Sequence, residues 1–149
     1  MAWVIDGSNV LGALRWNRES RESKERLATL CARFARRERK RVVLCFDGAP
    51  PAAFARKLGG LSVRFAHPRS ADDLIIDLTR EAREPSTVVT SDQGVANRVR
   101  RRTVAIVSAH EFATRLQGLA GESENEAEDR ATGEDDWSDY FSDPKNRIF

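Results

Sequence analysis

The stretch VIDGSNVL, residues 4 to 11, decides the fold. With Ala2 and Trp3 before it, an apolar run rich in strand formers reaches Ile5 and then stops at DGSN, a cluster of turn-forming residues. That is the pattern of a buried strand ending in a turn. It returns outward along the chain: Val42 to Phe46 ends in DGAP, Thr87 to Thr90 ends in SDQG, and Val104 to Val107 ends in SAH, with a further apolar run at Ser62 to Phe65. Five strands are expected.

Helices fit between them. Glu22 to Arg39 carries Leu27, Leu30, Cys31, Phe34 and Ala35 at helical spacing, and Ala71 to Arg83 carries Leu74, Ile75, Leu78 and Ala82. Gln93 to Arg101 is a shorter candidate, and Ser108 with Glu111 forms a capping box before Phe112, Ala113 and Leu116. Short apolar strands alternating with amphipathic helices predict a three-layer α/β domain with a mainly parallel sheet. In such a sheet right-handed crossovers bring the C-terminal ends of the parallel strands to one edge.

This topology gives the aspartates their meaning. Asp6, Asp47 and Asp92 each follow a strand and are expected to converge at the C-terminal edge, while Asp72 and Asp73 open the helix after the next strand. Each could serve only as a helix cap or Asx turn. Gathered together, their mutual repulsion would instead call for a cation, and an all-carboxylate set suits Mg2+ or Mn2+ better than zinc. Asp77, one turn beyond Asp73, either joins them or faces solvent.

The 149 residues suffice for one domain, 40% apolar and 32% charged. The formal net charge of +2 hides a split. Residues 1 to 119 carry a net +9, compatible with a polyanionic partner, and residues 120 to 149 carry a net −7. The expected division is therefore a domain over 1–119 and an acidic, flexible tail over 120–149, whose Trp137, Tyr140 and Phe141 could anchor its far end back on the basic body. No long apolar run suggests a membrane span, no secretory leader is legible, and Cys31 and Cys45 read as buried thiols, so a cytoplasmic protein is expected. Neither a phosphate-binding GxxxxGK[ST] loop nor a GxGxxG fingerprint occurs.

Four motifs, VIDGSNVL at 4–11, FDG at 46–48, SADDLI at 70–75 and TSDQGVANRV at 90–99, together resemble the NYN branch of the PIN-like nuclease superfamily, and most closely its YacP-like members. The resemblance spans about residues 2–118. It implies a compact α/β nuclease acting on RNA with Mg2+ or Mn2+. Its catalytic set would be Asp6, Asn9, Asp47, Asp72, Asp73 and Asp92. Asp6, Asp73 and Asp92 would be the core metal carboxylates, with Asp72 and Asp47 supporting them.

Around this centre, Ser8 and Ser91 are candidates to orient water or phosphate, Trp16 to stack on a base, and His67 to touch substrate. Arg98, Arg100, Arg101 and Arg102 are candidates to hold phosphates as a basic rim about the acidic centre; a second cluster runs from Arg33 to Arg41. Two other readings of the same residues are an RNA-binding module with little catalysis and a metal-dependent phosphatase or phosphotransfer enzyme.

Overall fold

The computed structural model describes residues 2–129, with side chains described as far as 121. β1 (Ala2–Asp6) leads directly into α1 (Gly7–Leu14), followed by α2 (Arg21–Glu38) and β2 (Arg41–Phe46). A short β3 (Lys57–Leu58) turns back into β4 (Leu61–Phe65); α3 (Ala71–Glu81), β5 (Ser86–Val89), α4 (Gln93–Val99), a 3-10 turn at Arg100–Arg102, β6 (Thr103–Val107) and α5 (Ala109–Asp129) complete the order. The sheet runs β3-β4-β2-β1-β5-β6, parallel throughout except for the β3–β4 pair.

The central strands of the sheet are covered on both faces. Val10, Leu11, Leu27, Cys31, Phe34, Phe112 and Leu116 from α1, α2 and α5 cover one side, with Trp3 wedged edge-on against Phe34 at 4.9 Å between ring centroids. Ala71, Ile75 and Ile76 of α3 and Val95 and Val99 of α4 cover the other. Three layers result, α1/α2/α5, sheet and α3/α4, as the alternation of strands and helices requires.

Three details differ from the sequence reading. The described sheet has six strands rather than five, because β3 is two residues long and has no periodicity to reveal it. Its remaining sign was Gly59-Gly60, where Gly59 adopts a φ of 61° in the hairpin turn. The turn after β1 is immediately helical, Asp6 itself acting as the N-cap of α1. Finally, α5 runs past the expected boundary at residue 119 and continues to Asp129. Glu122–Asp129 is rich in Glu and contains no proline, so nothing local stops the helix. Among the residues of α5 whose side chains are described, Leu119 is the last buried one. The anchoring expected of Trp137, Tyr140 and Phe141 lies outside the described residues.

Chain direction matters for the site. From β1 the chain moves outward to β2 and β4, then returns across β1 to β5 and on to β6. β1 and β5 are therefore adjacent strands whose onward connections diverge, which opens a crevice at their C-terminal ends.

Candidate acidic centre

Asp6 ends β1 in that crevice and is 2% exposed. Its Oδ1 accepts the Asn9 N–H at 3.3 Å, capping α1, and its Oδ2 faces the Thr90 hydroxyl at 3.4 Å. Thr90, buried just beyond β5, also accepts the Asp92 N–H at 3.1 Å, and its oxygen lies 3.4 Å from Asn9 Oδ1. Asn9 Oδ1 in turn accepts the Ser91 N–H at 2.7 Å. The start of α1 is thus bolted to the segment that carries Asp92.

The other carboxylates arrive from separate elements. Asp92 caps α4, its Oδ1 accepting the Val95 N–H at 3.1 Å. Asp47, just after β2, accepts the Ala71 N–H at 2.8 Å and the Ser8 hydroxyl at 3.4 Å, and so ties the start of α3 to the centre. Asp72 sits in the first turn of α3.

The charges of these groups act on one another. Burial, chiefly, pushes Asp6 up from 3.8 to about 6; the Asn9 N–H opposes this, while Asp72 and Asp47 add to the rise. Asp72 is raised as well, first by its partial burial and then by Asp92, Asp47 and Asp73. Among the described residues no ion pair reaches Asp6, Asp47, Asp72 or Asp92.

Asp73 is placed differently from the expectation that made it a core carboxylate. It lies one residue, about 100° of helix, from Asp72. Its Oδ2 is 4.0 Å from Arg69 Nε, and Arg69 also grips Asp77 at 2.6 Å. Asp72, rather than Asp73, is the member of the pair turned toward Asp92 and Asp47. Arg69 is a residue at this edge that sequence reading left out. Thr90 was legible beside Asp92 as a hydroxyl that could orient a carboxylate, and its place at the end of an apolar strand gives it buried partners.

The remaining candidates separate. Ser8 and His67 belong to this edge; His67 is exposed, and its backbone N–H bonds to Gly48 O at 3.3 Å. The Ser91 hydroxyl accepts the first amide of α5, Ala109 N–H, at 3.0 Å, so this exposed residue braces a helix. Trp16 lies beyond the far end of α1 and has the Arg26 guanidinium 4.4 Å above its ring, which leaves that face closed to a stacking base. Arg100, Arg101 and Arg102 precede β6, whose first residue pairs with Ser86 at the start of β5. They stand at the N-terminal edge of the sheet, opposite the carboxylates, and Arg98 lies in the last turn of α4 on the way there. The expected basic rim around the acidic centre is not formed by these four residues.

Among the described residues, no three His, Cys, Asp or Glu side chains are close enough to hold a metal ion by themselves. The donor chemistry still fits a hard divalent ion. The set is all oxygen, carries unbalanced negative charge, and Mg2+ typically takes only one or two protein carboxylates, with water and phosphate filling its other positions.

A three-layer α/β domain with an acidic crevice at a topological switch point is the class that fold and site define. The chain belongs to the YacP-like NYN domain family, whose profile matches residues 3–148. Membership places it among nuclease-like RNA-processing domains. Its fold is similar to that of Rae1 (YacP) from Bacillus subtilis, with a TM-score of 0.69 at 18% identity over 89% of this chain and 82% of that one. The W164L mutant of the same protein gives a TM-score of 0.68 at 20% identity over 89% and 85%. No curated protein matches this sequence. No helix among the described residues is long and apolar enough to cross a membrane.

Proposed function

We propose that this protein is a divalent-metal-dependent endoribonuclease that hydrolyses RNA phosphodiesters at the edge formed by Asp6, Asp47, Asp72 and Asp92. One observation carries the reading: carboxylates from four chain segments gather at one edge, where Asp72 and Asp47 add to the rise of Asp6, and Asp92 and Asp47 to that of Asp72, and among the described residues no cationic side chain pairs with any of the four. A cation and a phosphate supply what the edge lacks.

One or two of Asp6, Asp72 and Asp92 would hold Mg2+ or Mn2+ directly, with the others and Asp73 contributing through water. When bound, the ion would polarise the phosphodiester and lower the pKa of an attacking water. The protein's own part is positional. Thr90 and Asn9 lock the β1–α1 junction to the Asp92 segment, so the crevice keeps its width. Asp47 holds the start of α3, and with it Asp72, against the end of β2. Ser8 and His67 flank the same edge, where they can meet phosphate oxygens. Cytoplasmic RNA is the substrate this reading assigns.

The test is cleavage of a labelled RNA with Mn2+, with and without chelator, by the wild type and Asp6→Asn. The variant keeps the helix cap, since Asn can accept the Asn9 N–H, and internal cuts are expected to fall by orders of magnitude while circular dichroism is unchanged. Full activity in the folded variant overturns the assignment. Release of phosphate from small esters without RNA cuts would favour the phosphotransfer reading, and metal-independent binding without turnover the binding-module reading.

A further inference from the structure

The strand N-terminal edge is a charged surface of the opposite sign. Arg100, Arg101 and Arg102 form a 3-10 turn of three consecutive exposed cations entering β6. Arg80, at the end of α3, lies beside them: the Arg102 guanidinium donates to its carbonyl at 3.0 Å. Further along the same edge, Arg41 opens β2, where Glu84 stands within reach of its charge. Favourable placement near helix C-termini accounts for a cation or two. It does not account for three in a row, and among the described residues none of Arg100, Arg101 and Arg102 has an acidic partner. Arg102 is fixed by the α3 carbonyl and Arg100 by Asn97 Oδ1 at 3.2 Å, so the turn is oriented rather than loose.

We propose that this edge is a second RNA-contacting surface, which grips backbone phosphates remote from the scissile one. The proposal rests on the ribonuclease reading and adds a substrate path to it. Among the described residues β6 is hydrogen-bonded on one side only, by β5, and it exposes Val104 and Ala105. An RNA strand can run along this open side from the arginines to the acidic crevice. The five residues of β6 span about 16 Å, a distance that a short run of nucleotides bridges. Substrates shorter than that engage one edge or the other, and longer ones engage both.

The experiment measures binding in the Asp6→Asn background, so that chemistry does not enter. Affinity for a single-stranded RNA of about 20 nucleotides, enough to span the ~16 Å path several times over, is followed by fluorescence anisotropy against salt for full-length protein and for R100Q/R101Q. These two side chains make no contact with the core, and Arg102 with its α3 bond is retained. Losing two phosphate contacts should make the slope of log K against log salt shallower by about 1.4, which amounts to roughly 25-fold weaker binding at ~0.1 M salt, converging toward 1 M. In NMR titrations the Arg100–Thr103 amides should shift together with those following Asp92. An unchanged slope, or shifts confined to the acidic edge, overturns the proposal while leaving the nuclease reading intact. Absent cleavage in the wild type with a lowered slope in R100Q/R101Q would sink the nuclease reading and keep the surface.

Discussion

Asp6 concentrates the tension of the site. A carboxyl whose folded-state value is about 6, against 3.8 ordinarily, binds its proton more tightly in the folded state than in the unfolded one. Its ionisation therefore costs stability as pH rises from about 4 to 6, by up to about 3 kcal/mol at neutral pH. Asp6→Asn removes that charge. In chelator at pH 7 the variant is expected to melt above the wild type, and the gap should close below pH ~4; thermal melts across pH check this, and a constant gap would count against it. Thr90→Val tests the hub. It leaves the Asp92 N–H without its acceptor and costs about 1–3 kcal/mol in denaturant melts. By removing a donor to Asp6 it should also move the acid limb of the cleavage profile to higher pH. A variant that loses stability alone, with the limb unmoved, would reduce Thr90 to a purely structural residue.

Among the elements, the junction of β1 with α1 is the tightest. A Cβ on Gly7 would meet the Phe46 ring at 2.5 Å and Cys45 O at 2.8 Å, so α1 can start against β2 only because residue 7 has no side chain. Gly7→Ala is expected to cost about 1–3 kcal/mol, read as a lowered denaturation midpoint with unchanged m-value. Because the shift would fall on the residues beside Asp6, cleavage should drop by more than the lost folded population. How legible each element was follows from its length. α2 and α3, with apolar stripes over several turns, were evident in the sequence to within a residue or two. β3 was not, since a two-residue strand exists only because β4 offers it partners.

On the scale of the whole molecule, the helices on the α1/α2/α5 side depend on one aromatic cluster. Phe112 of α5 packs edge-on against Phe34 of α2 at 5.1 Å, and both meet Trp3 of β1. Phe112→Ala should cost about 3–5 kcal/mol and lower the melting temperature accordingly. It should also loosen the Ser91–Ala109 bond that links α5 to the acidic edge, visible as faster amide exchange at Ala109. The net +9 over residues 1–119 acquires direction at this scale: carboxylates gather at one edge of the sheet and an arginine turn at the other.

By itself the sequence determined the alternation of elements, the layered class, and the fact that several strands end in aspartate, because these depend on local periodicity and turn chemistry. The tertiary structure alone decided which carboxylates meet. Adjacent residues on a helix point about 100° apart, so Asp72 turns inward while Asp73 turns to Arg69, and no local pattern tells the two apart. It also decided where the arginines stand. Sequence nearness to Asp92 suggested a rim around the acid, but α4 carries the chain across the face of the sheet before β6 begins, and the parallel direction of β6 leaves Arg100–Arg102 at the opposite edge.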